Sequence, residues 1–154
     1  MHSVPRPALI LGAAGLLPTL AALVAVLVGD TDVARFGFVA GAYYGITILS
    51  FLGGAWWGIA ASRAPARTLA VWLSLSVVPS LVGALAGIFL SPVSVFLLGL
   101  AFLASLLMDR ALSRRDLAPP WWMALRLPLS IGMALLHIAL GLFGPAVNGP
   151  GFGL

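Results

Sequence analysis

FGFVAGAYYGITILSFLGGAWWGIAA, running from Phe36 to Ala61, carries no charge over about 26 residues. In a helix rising 1.5 Å per residue, that length crosses a hydrocarbon layer about 30 Å thick. Lipid alone would be satisfied by leucine, valine and alanine. Here glycines recur at 37, 41 and 45, tyrosine is doubled at Tyr43-Tyr44, and Gly53-Gly54 precede Trp56-Trp57-Gly58. A span built this way has a specific neighbour or ligand.

Four more apolar segments surround it, which predicts an all-α polytopic bundle of five transmembrane helices. The first is 8–28, with Pro18 inside. After 36–61, a block from Thr68 to Met108 is too long for one crossing. Ser91-Pro92 divides it, because proline disfavours helix in the residue before it and suits the first turn of a new one. That gives 68–90 and 92–108, the shortest span, then 121–143 after Pro119-Pro120. Residues 1–154 form one integral membrane domain, with a flexible Gly- and Pro-rich tail over 144–154. A cleaved signal peptide is the rival reading of the first segment. Its apolar run is too long for one, and Gly29-Asp30-Thr31-Asp32 is a poor cleavage site.

Composition agrees. The chain is 62% hydrophobic and 8% charged, against roughly 25% charged in soluble domains. It has no cysteine, which removes disulfides, thiolate metal sites and cysteine nucleophiles. All eight basic residues are arginine, and apart from Arg126 in the fifth span they are scattered over short loops and the N-terminal segment rather than set in a stripe that would grip nucleic acid. With five spans, Arg6, Arg63, Arg67, Arg110, Arg114 and Arg115 share one side, opposite Arg35. Lys/Arg excess marks the cytoplasmic face, so the N-terminus is expected inside and the C-terminus outside. Joining the third and fourth spans would weaken this bias. The location expected is a bacterial inner (cytoplasmic) membrane.

Glycines at spacing four let helix backbones approach closely. Gly37, Gly41, Gly45 and Gly58 of the second span, and Gly83 and Gly87 of the third, are expected to pack helices. A ligand-facing groove is the alternative. Polar residues form two further stripes. Arg126, Ser130, Met133 and His137 step by four, three and four along one helix face. Arg126 either snorkels to the headgroups or pairs with a buried acid. Asp109 at the end of the fourth span is the nearest candidate, with Asp116 the alternative. On the second span, Tyr43, Ser50 and Trp57 step by seven, with Gly54 between the last two. Antiparallel spans would match Trp57 with Arg126 as a cation–π contact and Tyr43 with His137. Tyr43, Tyr44, Ser50, Gly54, Trp57, Arg126, Ser130 and His137 therefore make a candidate ligand or partner face. An aromatic belt at the headgroups is the plainer reading of the four paired tryptophans.

Catalytic equipment is sparse. The four acidic residues lie in loops or at span ends, and neither a Ser-His-Asp order nor an HExxH appears. His137 and His2 sit far apart in the chain, so no metal site is expected. Tyr44, Leu49-Ser50-Phe51-Leu52-Gly53-Gly54 with Trp57-Gly58, Asp109, Pro120-Trp121-Trp122 with Leu125-Arg126, and Pro128-Leu129-Ser130 resemble the bacterial and mitochondrial proteins grouped with transmembrane protein 69. The resemblance implies a small polytopic inner-membrane protein and brings no activity, substrate or catalytic residue. Together these readings predict a non-enzymatic accessory or assembly partner of a larger membrane complex, meeting lipids and other subunits but no nucleic acid. The alternative is binding or transport of an amphipathic lipid or quinone in an intramembrane cleft. No cofactor is predicted beyond such a bound lipid or quinone.

Overall fold

The computed structural model describes residues 3–145, and among these there is no strand. His2 and the tail beyond 145 lie outside the described residues. The helices are α1 (Arg6–Ala14), α2 (Leu17–Val28), α3 (Thr31–Arg63), α4 (Ala66–Ile88), α5 (Pro92–Arg114) and α6 (Trp122–Phe143). With α1 and α2 taken together, five helical segments are long and apolar enough to cross a membrane. Successive crossings run antiparallel, so Arg6, Arg63, Arg67, Arg110, Arg114 and Arg115 collect at one end of the bundle. Arg35 lies at the other.

Local chemistry explains each boundary. The first crossing is broken rather than continuous over 8–28, because Pro18 has no amide to give the carbonyl of Ala14. At the break, the Tyr44 hydroxyl donates to the Gly15 carbonyl at 2.9 Å. α3 starts five residues before the expected Phe36, because the Asp30 carboxylate accepts from the amides of Asp32 and Val33 at 3.1 and 3.0 Å. Ser91 and Ser94 cap each other reciprocally at the start of α5.

The fourth crossing is not the shortest. α5 continues past Met108 to Arg114 and matches α4 at 23 residues. Its charged last turn is helical because it ends in a Schellman turn. The Leu117 amide bonds the Leu112 carbonyl at 3.0 Å, and the Asp116 amide bonds the Ser113 carbonyl at 3.1 Å. Asp116 takes the left-handed position at φ 57°, a conformation most L-residues avoid. Leu112 and Leu117 share one buried cluster, the apolar contact that commonly accompanies this motif.

α3 is the central element and touches α2, α4, α5 and α6. Its buried face is Phe38, Ala42, Gly45, Leu49, Leu52 and Trp56, a three–four repeat. Close approach uses the expected Gly37, Gly41 and Gly45. A Cβ at Gly37 would stand 2.7 Å from the Cβ of Ala25, and one at Gly41 would stand 2.7 Å from Leu140. A Cβ at Gly45 would collide with the His137 ring. A Cβ at Gly83 would crowd Ile46 at 3.0 Å, as expected of a packing glycine, whereas one at Gly87 would meet Ile46 and Tyr43 in ordinary contact. Gly58 is a correction: it has open space where a side chain would go, because it lies on the outer side of α3. Its place is taken by Gly53, which abuts the Ser76 carbonyl, and by Gly141, where a Cβ would lie 2.6 Å from the Phe96 amide nitrogen.

These contacts separate two classes of glycine. Gly53→Ala and Gly141→Ala should each lower the melting temperature in detergent, by the equivalent of about 1–3 kcal/mol of overpacking. Gly54→Ala and Gly58→Ala should leave it unchanged or raise it, since alanine favours helix by up to about 1 kcal/mol. Equal effects in both pairs would contradict the packing described.

Candidate functional site

Asp109 is completely buried, yet both of its oxygens are occupied. Oδ1 accepts from the indole nitrogens of Trp56 and Trp122, each at 2.8 Å. Oδ2 accepts from Nε of Arg126 at 2.9 Å. The guanidinium continues to the Ser130 hydroxyl at 2.8 Å and, more loosely, to Ser105 at 3.4 Å. Ser105 donates its own proton to the Phe102 carbonyl at 2.7 Å. One carboxylate thus joins α3, α5 and α6 at the arginine-rich end. Buried charge is tolerated only when paired and hydrogen-bonded, and here both conditions are met.

Arg126, Ser130 and His137 face inward from α6 as one stripe. Ser130 and His137 are fully buried, and Met133 between them accepts a weak hydrogen bond from Thr19 of α2. His137 Nδ1 lies 2.9 Å from the Met133 carbonyl, and its ring sits 5.2 Å from that of Phe102 and against Gly45. Enclosed this way, it packs helices together. Among the described residues, no three His, Asp or Glu side chains gather as metal ligands.

The stripe expected on the second span is corrected. Trp57 is 46% exposed and Tyr43 52% exposed, and a Cβ at Gly54 would meet nothing within 4 Å. Arg126 therefore makes no cation–π contact with Trp57, and Tyr43 does not meet His137. The inward repeat runs through Ala42, Leu49 and Trp56, one residue earlier than Tyr43, Ser50 and Trp57. One residue is about 100° of rotation. Ser50 and Tyr43 instead border Gly83 and Gly87 of α4, and Tyr44 holds the break in the first crossing. Trp56 and Trp122, which the sequence offers only as members of an aromatic belt, and Ser105 join the network instead. Ser105 stands four residues before Asp109 and so on the same face, a legible signal.

Beside the network, α4 and α5 leave a cavity of about 450 Å³. Leu75, Val78 and Val82 line it from α4, and Ala101, Ala104 and Met108 from α5. Leu49 and Trp56 form its floor, and Ser105 joins it to the Asp109 network. Leu75, Val78 and Leu107 on its rim are exposed, so it opens sideways toward lipid. The α4–α5 seam is far thinner than the neighbouring α5–α6 seam. A smaller cavity of about 250 Å³ continues along it past Val82 to Phe89. At the arginine-rich end a polar pocket of about 600 Å³ adjoins it, with Trp72 and Arg115 in the walls of both.

A family model described as "Protein of unknown function (DUF3429)" matches residues 4–142, which contain the whole network and the cleft. Transmembrane protein 69 from Xenopus tropicalis is 33% identical over 132 residues, covering 85% of this chain and 52% of that protein. The chain spans about half the length of this curated relative. No solved structure matches.

Removing one member of the ion pair strands the other in the bundle. Arg126→Ala should destabilise the protein by about 3–5 kcal/mol, whereas Asp109→Leu combined with Arg126→Met should cost much less than the sum of the single changes. Unfolding of the single and double variants in mild detergent checks this, and additive losses would mean that the pair is not coupled.

Proposed function

This chain belongs to the DUF3429, transmembrane protein 69-like family, whose name carries no activity, and we propose on geometric grounds that it binds an amphipathic small molecule of lipid or quinone type within the membrane. The observation that carries this reading is the sideways-open apolar cleft between α4 and α5, which ends at a polar pocket. Ligand sites are typically concave, mostly apolar and equipped with a few polar groups. The network behind the cleft has its hydrogen bonds committed to holding helices, and so supports a binding role rather than a reaction. We take the arginine-rich end to be cytoplasmic, following the positive-inside rule, in a bacterial inner membrane.

A second reading, an accessory subunit of a larger membrane complex, draws on the opposite face of α3. Gly54 and Gly58 lie open there between exposed Phe51 and Trp57. Small residues of this spacing admit a neighbouring helix.

Purification in mild detergent followed by mass spectrometry of lipids and proteins separates the two. A stoichiometric lipid or quinone, lost when Ala104→Phe fills the cleft, is the outcome expected of the binding protein. Reproducible co-purifying subunits with no retained small molecule, released by Gly54→Leu, would favour the accessory role instead.

A further inference from the structure

The polar pocket at the mouth of the cleft is lined by Arg63, Arg67 and Arg115, with Asp116 the sole acid among its lining residues. Among the described residues the one ion pair is Asp109–Arg126, so none of these three guanidiniums is neutralised by a carboxylate at contact distance. Arg63 donates to the Leu117 carbonyl at 3.2 Å, which fixes its direction and leaves its charge uncompensated. Arg115 lies over the Trp72 ring, 4.9 Å from its centroid. Trp72 is buried and belongs to the walls of both the polar pocket and the apolar cleft. Cationic mouth and apolar groove are therefore one continuous feature, hinged on a stacked Arg–Trp pair.

Its dimensions suit one class of molecule. From Trp72 to Val82 the groove follows ten residues of α4, about 15 Å at 1.5 Å per residue, which is half of a hydrocarbon core about 30 Å thick. An acyl chain entering from the arginine-rich surface reaches that depth. Three cations against one carboxylate favour an acidic headgroup over a zwitterionic one, and a quinone offers no charge for them to meet. We infer that the occupant is an anionic phospholipid, with its phosphate at Arg67 and Arg115 and an acyl chain in the α4–α5 groove. This rests on the reading of the cleft as a binding site and adds the chemistry of its ligand.

Native mass spectrometry of the delipidated full chain in mild detergent tests it, using equal amounts of dioleoyl phosphatidylglycerol and dioleoyl phosphatidylcholine. The phosphatidylglycerol should be retained preferentially. Arg67→Gln and Arg115→Gln, both on exposed side chains, should each reduce that preference about fivefold, the worth of one arginine near an anionic membrane surface. Ala104→Phe should reduce uptake of both lipids. Equal retention of the two lipids, or a preference that survives both arginine changes, overturns the headgroup assignment. If Ala104→Phe still lowers uptake in that case, the cleft itself remains a binding site. Indifference to Ala104→Phe together with no headgroup preference means annular lipid only, and both readings fall. Displacement of the lipid by inorganic phosphate at equal concentration would assign the arginines to a free anion and also overturn the proposal.

Discussion

A carboxylate with no access to water must have its charge answered inside the protein, and Asp109 makes that demand of the whole bundle. Its answer comes from three directions. Trp56 arrives from α3, and Trp122 and Arg126 from the first turns of α6. These donors must stand at one depth, so the register of three helices is set together. Sliding α3 by a turn would move Trp56 by about 5.4 Å and leave Oδ1 short of a donor. The hydroxyls of Ser105 and Ser130 then complete the shell of the guanidinium. Hydrogen bonds of indoles to a carboxylate are charge-assisted and stronger than neutral ones.

Packing above this layer depends on close approach. Gly41 and Gly45 admit Leu140 and His137, while Gly99 receives Ala134 and Ile138. α5 therefore commits one face to α6, and α3 commits itself to α2 and α4. What remains is the α4–α5 seam, lined by small or flexible side chains such as Ala101, Ala104 and Met108. The cleft and the ion pair are two sides of the same helix. Ser105 belongs to both, lining the cleft and meeting the Arg126 guanidinium.

Much of this was legible in the residues. Apolar length and Ser91-Pro92 predicted five crossings, and the spacing of Arg126, Ser130 and His137 predicted the inward face of α6. Asp109 was legible as a partner because it lies at the end of an otherwise uncharged span. The choice between Trp56 and Trp57 was not. Neighbouring tryptophans are equivalent by composition, and only the repeat Ala42, Leu49, Trp56 distinguishes them. Tyr43, Ser50 and Trp57 attract notice for their polarity, but small and aliphatic residues determined the rotation of α3. The extension of α5 to Arg114 was hidden by its arginines, which read as a loop until the Schellman turn at Asp116 is seen. A cleft between helices leaves no mark in a single sequence, since it depends on which faces two helices fail to join.

The length of α3 has a consequence for the surrounding membrane. Four crossings have 22 or 23 residues, but α3 runs for 33 without interruption. Its uncharged portion, 36–61, is about 39 Å long in a hydrocarbon core about 30 Å thick. The excess must be absorbed by tilt or by local thickening of the bilayer, at fractions of a kcal/mol per Å. Hydrophobic mismatch thus falls on a single helix, the one that touches α2, α4, α5 and α6 and carries both Trp56 and the floor of the cleft.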